Sequence, residues 1–99
     1  MAKLTWSPQA IADLESICDY IARDSEYYAK LFGQRLIAAV EAIPGQPYIG
    51  AVVPEYGMED LRERRLQNYR IIYRVRDEAI EVVTLFHAAR QLPPNRSTD

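Results

Sequence analysis

The alternation of side chains between Tyr69 and Arg76 constrains the fold of this chain more than any other feature. Successive residues belong in turn to an apolar or aromatic set and to a mainly basic set. Because side chains point to opposite faces of a β-strand with a period of two, each set occupies its own face. The first set is Tyr69, Ile71, Tyr73 and Val75, and the second is Arg70, Ile72, Arg74 and Arg76. The sequence thus predicts a strand with one buried face and one face in polar surroundings.

Two further strands flank this one in the sequence. The stretch that begins at Leu61 precedes it and favours a first strand, and Asp77 and Glu78 supply turn-type residues after it. The segment from Ile80 to His87 is rich in β-branched and aromatic residues, which favours a strand covered on much of both faces. The sequence therefore predicts a three-stranded antiparallel meander.

Positive charge is concentrated in this meander. Six of the twelve lysine and arginine residues lie between Arg62 and Arg76, and Glu63 is the only acidic residue among them, although the chain has a net charge of -2. Near-neutral proteins do not in general attract nucleic acid, so only this cluster suggests an anionic partner. We expect one cationic face on a small sheet.

Two amphipathic helices are predicted ahead of the meander. Ser7 and Pro8 mark the start of the first, because a serine hydroxyl caps free backbone N–H groups and proline at the first helical position has none. Asp24 and Ser25 begin the second, and Pro44-Gly45 ends it. The break between the helices is short, which favours an antiparallel pair. Their apolar stripes are Ile11, Leu14, Ile17, Cys18 and Ile21, and then Tyr28, Phe32, Leu36, Val40 and Ile43.

These elements define an α+β fold. Met1 to Trp6 is a short strand that should add to the sheet, and Pro44 to Gly57 is an irregular connection rich in proline and glycine. A length of 99 residues is enough for a single domain, which we place over residues 1–99. The proline-containing polar segment 91–99 is expected to be a flexible tail. We expect an N-terminal strand, an antiparallel helical hairpin and a three-stranded antiparallel meander, with the helices packed on one face of a small curved sheet.

Several classes of protein are disfavoured by composition. Cys18 is the single cysteine, so an intramolecular disulfide is impossible, and we interpret it as a core residue of the first helix. No apolar run approaches the roughly 20 residues that span a bilayer, and the N-terminus lacks a signal pattern. No cluster of metal-ligand residues is visible. We therefore expect a cytoplasmic protein with no cofactor and no membrane partner.

The order of elements and several short motifs resemble the ParE/RelE superfamily of bacterial type II toxins. Each motif is weak alone, but together and in this order they are specific for the superfamily. They are Leu4-Thr5-Trp6-Ser7-Pro8-Gln9-Ala10, Asp13-Leu14, Tyr20-Ile21 with Asp24, the loop from Pro47 through Gly50 to Val53-Pro54-Glu55, Leu61-Arg62, Tyr69-Arg70-Ile71-Ile72-Tyr73-Arg74-Val75, and Phe86-His87 with Arg90.

The resemblance implies a small toxin that a cognate antitoxin wraps and neutralises, within a possible higher-order hetero-oligomer. ParE-like members are regarded as inhibitors of DNA gyrase, and RelE-like members act as ribosome-dependent mRNA interferases. The loop from Pro47 to Glu55, the strand from Tyr69 to Tyr73 and the His87-to-Arg90 ending look more ParE-like. We therefore favour a toxin that binds gyrase, with a metal-independent endoribonuclease acting on mRNA at the ribosome as the alternative.

An interferase would need a proton acceptor, a proton donor and cations for the phosphorane. Arg62 and Arg70 are the candidate phosphate clamps, and His87 is the candidate acid or base because it is the only histidine, the residue type best suited to that role near neutral pH. Some interferases of the superfamily use lysines and a late tyrosine. Here Lys3 and Lys30 are the only lysines and no tyrosine follows Tyr73, which weighs against this alternative.

Without catalysis, the candidate residues for binding the target or the antitoxin are Arg62, Arg64, Arg70, Ile72, Arg74, His87 and Arg90. A basic face with an apolar stripe suits a partner segment that is both acidic and apolar. Structural alternatives stay open for Arg70, for His87, and for Arg62 and Arg64. Arg70 could pair with a buried carboxylate such as Glu81, His87 could bond to backbone, and the arginines of the first meander strand could protect a sheet edge. A plain DNA-binding regulator is disfavoured, because the basic residues lie on strands and no recognition helix is apparent.

Overall fold

The computed structural model describes residues 2–90 and 92, and it has the predicted α+β architecture. The elements are β1 (Lys3–Trp6), α1 (Pro8–Ala22), α2 (Glu26–Glu41), a 3₁₀ turn (Ile43–Gly45), β2 (Ala51–Val52), β3 (Leu61–Leu66), β4 (Tyr69–Arg76) and β5 (Ala79–His87). The sheet order is β1-β5-β4-β3-β2, with β1 parallel to β5 and every other neighbouring pair antiparallel. The meander and the added N-terminal strand are confirmed, whereas β2, inside the proline- and glycine-rich connection, was not predicted.

The starts of both helices follow the predicted capping chemistry. The Ser7 hydroxyl accepts the Ala10 N–H at 3.0 Å, and Pro8 occupies the first helical position. The Ser25 hydroxyl accepts the Tyr28 N–H at 3.0 Å. Each cap satisfies a backbone donor that has no partner inside the helix, and so fixes the residue at which the helix begins.

The main core lies between the helices and the sheet. From α2 it receives Phe32, Leu36 and Val40, which are almost completely buried against the predicted apolar set of β4. The stripe of α1 is narrower than predicted, because Ile17 is buried while Ile11 is 49% exposed. Helix α1 therefore packs on the core through Ala10, Leu14, Ile17 and Ile21.

The opposite face of the sheet carries a second, smaller apolar cluster. Val53 folds back from the connection after β2 and packs on Leu61, Ile72 and Phe86. Ile72, which was predicted to face a partner, is 1% exposed. That prediction is wrong, because alternation along β4 identifies the face of Ile72 but carries no information about a distant loop that covers it.

A β-bulge interrupts the pairing of β4 with β5. Ile72 lies opposite Thr84 and Tyr73 lies opposite Val82, so Val83 is the extra residue. The extra residue changes which alternate side chains of β5 face the helices. Even-numbered Ile80 and Val82 before the bulge and odd-numbered Leu85 after it therefore all reach the helix-side core. Helix α1 and its cap satisfy the displaced polar groups. The Ser7 hydroxyl donates to the Val83 carbonyl at 2.7 Å, and Asp13 accepts from the Thr84 hydroxyl and from the Leu85 N–H.

The segment after Arg90 was predicted to be a flexible tail, and within it the structure describes only Leu92. The Leu92 N–H donates to Glu55 at 3.1 Å, and its side chain packs on the cluster around Val53. Leu92 is therefore held to the fold, and the rest of the predicted tail lies outside the described residues. Within residues 2–90, no helix is long and apolar enough to cross a membrane.

Candidate functional site

Arg70 is enclosed by two carboxylates that use most of its hydrogen-bonding capacity. Nη1 and Nη2 donate to Glu55 Oε2 and Oε1, each at 2.7 Å, and Nη2 also donates to Glu63 Oε1 at 2.6 Å. Nε donates to Glu63 Oε2 at 3.3 Å, and Nη1 reaches the Arg90 carbonyl at 3.4 Å. A guanidinium has five N–H donors, so all of them are engaged within the protein.

The enclosure is buried and electrostatically strong. Arg70 is 3% exposed, and its guanidinium carbon lies 5.1 Å from the centre of the Phe86 ring. The hydrogen bonds that Arg70 donates lower the pKa of Glu55 to about 2, and donating to Glu55 and Glu63 raises the pKa of Arg70. Removal from water is costly for each of these charges, and their mutual bonds offset that cost. Arg70 therefore stays charged and paired.

The carboxylates around Arg70 differ from the one suggested by the sequence. Glu81, the suggested partner, lies opposite Arg74 and not beside Arg70. The contact with Glu63 could have been inferred from strand alternation. The β3–β4 register puts Arg65 opposite Arg70, and Glu63 lies two residues further along the same face of the sheet. Glu55 comes from an irregular connection, where no periodicity could place it.

Arg62 and Arg64 lie on the opposite face of the sheet from Arg70. They stand across from Tyr73 and Ile71, and directly paired residues share a face. Arg62 bonds the carboxylate and the carbonyl of Glu59, both at 2.9 Å. Arg64 donates at 3.1 Å to the Ala39 carbonyl in the last turn of α2, where the helix dipole favours a cation.

The expected single cationic face is therefore absent. Arg74 pairs with Asp60 at 2.9 Å, and Arg65, although its side chain is 62% exposed, contacts Glu63 at 3.4 Å. Arg62, Arg70 and Arg74 are each neutralised by carboxylates of the same chain, and Arg62 points away from the other two. The prediction was wrong because a local count of arginines omitted acidic residues supplied from outside the counted interval, Glu55, Glu59 and Asp60. Whether any of these arginines binds a target or an antitoxin remains a prediction.

His87 also stands apart from Arg70. It lies opposite Tyr69, with ring centres 5.5 Å apart in an edge-on arrangement, and thus on the helix side of the sheet. Its Nδ1 accepts the Ala89 N–H at 3.1 Å, which agrees with the structural alternative of a histidine bonded to backbone. Arg62 shares this face, but it is displaced by four residues along the strands, about 13 Å, and by two strands. The three residues proposed for an interferase are not brought together.

A cleft of about 710 Å³ opens beside the enclosed arginine. Glu55, Glu63 and Arg70 form its charged floor, and small apolar side chains form much of its walls. The other lining residues are Ala51, Val52, Pro54, Arg65, Ala88, Ala89 and Arg90. Within residues 2–90 and 92, no group of three or more His, Cys, Asp or Glu side chains is arranged to hold a metal ion.

Fold and motifs together define a small toxin of the ParE/RelE superfamily of type II toxin–antitoxin systems. A family model described as the ParE toxin of the type II toxin–antitoxin system parDE matches residues 4–92. The chain belongs to this ParE toxin family.

Individual relatives carry both superfamily names. Toxin RelE2 of Caulobacter vibrioides is 34% identical over 91 residues, which cover 91% of this chain and 99% of that protein. A structure of the chromosomal ParDE system from P. aeruginosa aligns with a TM-score of 0.74 at 23% identity, covering 88% of this chain and 96% of that one. A RelE–RelB complex from Pyrococcus horikoshii OT3 aligns with a TM-score of 0.47 at 24% identity, over 90% and 97% of the two chains. The ParDE structure supports the fold.

Proposed function

We propose that this type II toxin acts in the cytoplasm by binding DNA gyrase and blocking its activity. In this proposal the toxin makes no covalent change to its target. Its activity resides in a rigid surface that a cognate antitoxin covers within a toxin–antitoxin complex, which can form higher-order hetero-oligomers.

The state of Arg70 is the observation that carries the choice of mechanism. An RNA-cleaving site needs cations with donors free for the charged phosphorane. All five N–H donors of Arg70 are engaged by Glu55, Glu63 and the Arg90 carbonyl. To bind Arg70, a phosphate would have to displace a carboxylate that forms a bidentate ion pair in a buried site. Breaking a buried ion pair from one side costs about 3–5 kcal/mol.

The placement of His87 supports the same choice. A general acid or base must reach the reacting atoms through a hydrogen bond or a single water. His87 lies on the helix side of the sheet and Arg70 lies on the other side, so one ribose–phosphate group cannot contact both. The model that matches residues 4–92 is that of the ParE toxin, and ParE-like toxins are the branch regarded as gyrase inhibitors.

The family match and one structural relative support an antitoxin partner. The family model is described as the ParE toxin of the type II toxin–antitoxin system parDE, and the P. aeruginosa structure is described as a chromosomal ParDE system. We extend this arrangement to the present chain. The antitoxin should be a short acidic protein encoded in the reading frame next to the toxin gene.

The interferase remains the second candidate, because the relative with 34% identity is named Toxin RelE2. In that case mRNA would be cut at the ribosome, with Arg62, Arg70 and His87 as the candidate catalytic residues. The geometry described above would then have to change on the ribosome, since these three side chains do not converge in the free protein.

Two parallel assays with purified toxin distinguish the candidates. In a gyrase supercoiling assay we expect inhibition that the co-purified antitoxin reverses, and in a translation-coupled assay we expect intact mRNA. Codon-phased mRNA cleavage, with gyrase unaffected, would contradict the proposal. Loss of that cleavage in His87→Ala and Arg62→Ala, with Arg76→Ala as a control, would establish the interferase.

A further inference from the structure

Three concavities meet at Arg90. It lines the 710 Å³ cleft beside Arg70, a cavity of about 200 Å³ beside Leu92, and a groove of about 340 Å³ between α1 and the end of β5. The side chains around this junction form one surface that runs around the end of β5. We name it the Arg90 surface and define it by Ile17, Tyr20, Arg65, Tyr69, Ala89 and Arg90.

Arg90 differs from most arginines of the sheet because it has no carboxylate partner. Arg62, Arg65, Arg70 and Arg74 all form ion pairs within the chain. Among the described residues, Arg90 is exposed and its guanidinium forms no ion pair or hydrogen bond. Its five donors are therefore available to a carboxylate from another molecule.

The acidic groups beside Arg90 are already engaged. Asp13, in the groove, accepts from Gln9, Thr84 and the Leu85 N–H. Glu55 and Glu63, in the cleft, are bonded to Arg70. These carboxylates are bonded to other groups, and none of them pairs with Arg90. Arg90 is therefore the cation of this surface that has no partner in the described chain, and an incoming carboxylate can bind it.

The groove supplies an apolar and aromatic wall next to this cation. Ile17, Tyr69, Leu85 and Phe86 line it, and Tyr20, at its rim, is 65% exposed. Tyrosine and arginine are, with tryptophan, the residue types enriched among the residues that contribute most binding energy in protein interfaces. An exposed tyrosine beside an unpaired arginine, over an open apolar groove, is the composition expected of a docking site for a protein segment.

We propose that the Arg90 surface binds a segment of the antitoxin in which a carboxylate is flanked by apolar side chains. The carboxylate pairs with Arg90, and the apolar side chains fill the groove beside Tyr20. This inference rests on the proposed function, because it takes the antitoxin as the occupant. Nucleic acid fits the surface poorly, since binding a phosphate backbone requires a track of several free cations.

The test measures the affinity of purified toxin variants for the protein encoded next to the toxin gene. Arg90→Glu should raise the Kd by about 30-fold or more, because an attraction becomes a repulsion. Its matched control is Arg76→Glu, an equal charge change at an exposed arginine far from the surface, with an expected change under about threefold. Circular dichroism melting of each variant establishes that it is folded.

A second pair of variants tests the groove. Tyr20→Ala should raise the Kd by about tenfold, as at an interface tyrosine. Tyr27→Ala, the matched control, removes a tyrosine that is 79% exposed and lies on α2, and it should leave the Kd within about threefold.

The outcomes separate this inference from the proposed function. Equal affinities for all four variants, with tight binding by the wild type, would overturn the Arg90 surface and leave the antitoxin partnership intact. If Arg90→Glu keeps its antitoxin affinity but no longer inhibits gyrase, the surface belongs to the target and the inference is wrong. If the neighbouring protein does not bind wild-type toxin, both proposals fail.

Discussion

Glu55 and Arg70 form a bidentate ion pair, in which Nη1 and Nη2 of Arg70 each lie 2.7 Å from one carboxylate oxygen of Glu55. Glu55 lies in the connection after β2, and Arg70 lies near the start of β4, the central strand of the sheet, so the pair attaches an irregular segment to β4. Glu55 also accepts the Leu92 N–H. One carboxylate thus connects the loop, the sheet and the segment after β5.

Arg70→Ala should destabilise the protein strongly. It would leave the buried Glu63 and the largely covered Glu55 without their cation, and breaking a buried ion pair from one side costs about 3–5 kcal/mol. Urea denaturation should show this as a lower midpoint. Arg76→Ala, at an exposed arginine, should change stability by no more than about 0.5 kcal/mol, and an equal effect of both substitutions would contradict the structural role of Arg70.

Glu55 should also make the stability depend on acidic pH. Its pKa falls from 4.5 to about 2 on folding, mainly through its hydrogen bonds with Arg70. A depressed folded pKa means that the contribution is complete above pH 4.5 and is lost as the pH falls toward 2. In denaturation curves over this range, Glu55→Gln should reduce the slope of stability against pH. Glu59→Gln, the same change at a side chain that is 87% exposed, is the control and should keep the wild-type slope.

Much of the fold could be predicted because its signals are local. Capping by Ser7 and Ser25 depends on residues within one turn, and the faces of β4 follow from alternation alone. The strand β2 and the cover over Ile72 could not be predicted, because both arise where a loop without periodicity meets a distant strand.

The candidate site was less predictable than the fold. The arginine cluster was visible in the sequence, but its meaning depended on Glu55 and Asp60, which lie before it in the chain. His87 was placed by the register of β5, and a bulge changes the parity of that strand at Val83. Counting charges along the sequence therefore identified the arginines, but it could not show which of them form ion pairs within the folded chain.

Gly50 should tolerate no side chain. An added Cβ would stand 2.4 Å from the Glu63 carbonyl oxygen and 2.7 Å from the Tyr73 hydroxyl, and the first of these atoms belongs to backbone that cannot move freely. The Gly50 N–H also donates to the Tyr73 hydroxyl at 3.0 Å, and that hydroxyl donates to the Pro47 carbonyl. Gly50→Ala should therefore cost about 1–3 kcal/mol by displacing the connection from β3.

Gly45→Ala is the matched control for this substitution, because a Cβ there has no atom within 4 Å. Thermal denaturation of both variants gives the comparison. A melting temperature for Gly50→Ala equal to that of Gly45→Ala would mean that the loop between the 3₁₀ turn and β2 is not held against β3 as described.

Asp13 should be required for the bulge in β5. Its carboxylate accepts from the Thr84 hydroxyl and the Leu85 N–H, and Leu85 is 2% exposed, so its N–H has no ready replacement from water. Leaving a buried donor unpaired costs about 1–3 kcal/mol, which is the loss expected for Asp13→Ala in chemical denaturation. Asp19→Ala, on the same helix but exposed, should change stability by about 0.5 kcal/mol or less.

Amide hydrogen exchange adds a local measurement: the Leu85 N–H should exchange faster in Asp13→Ala and at the wild-type rate in Asp19→Ala. Unchanged protection at Leu85 would show that the bulge does not depend on Asp13. The turn of Leu85 toward the core would then need another cause.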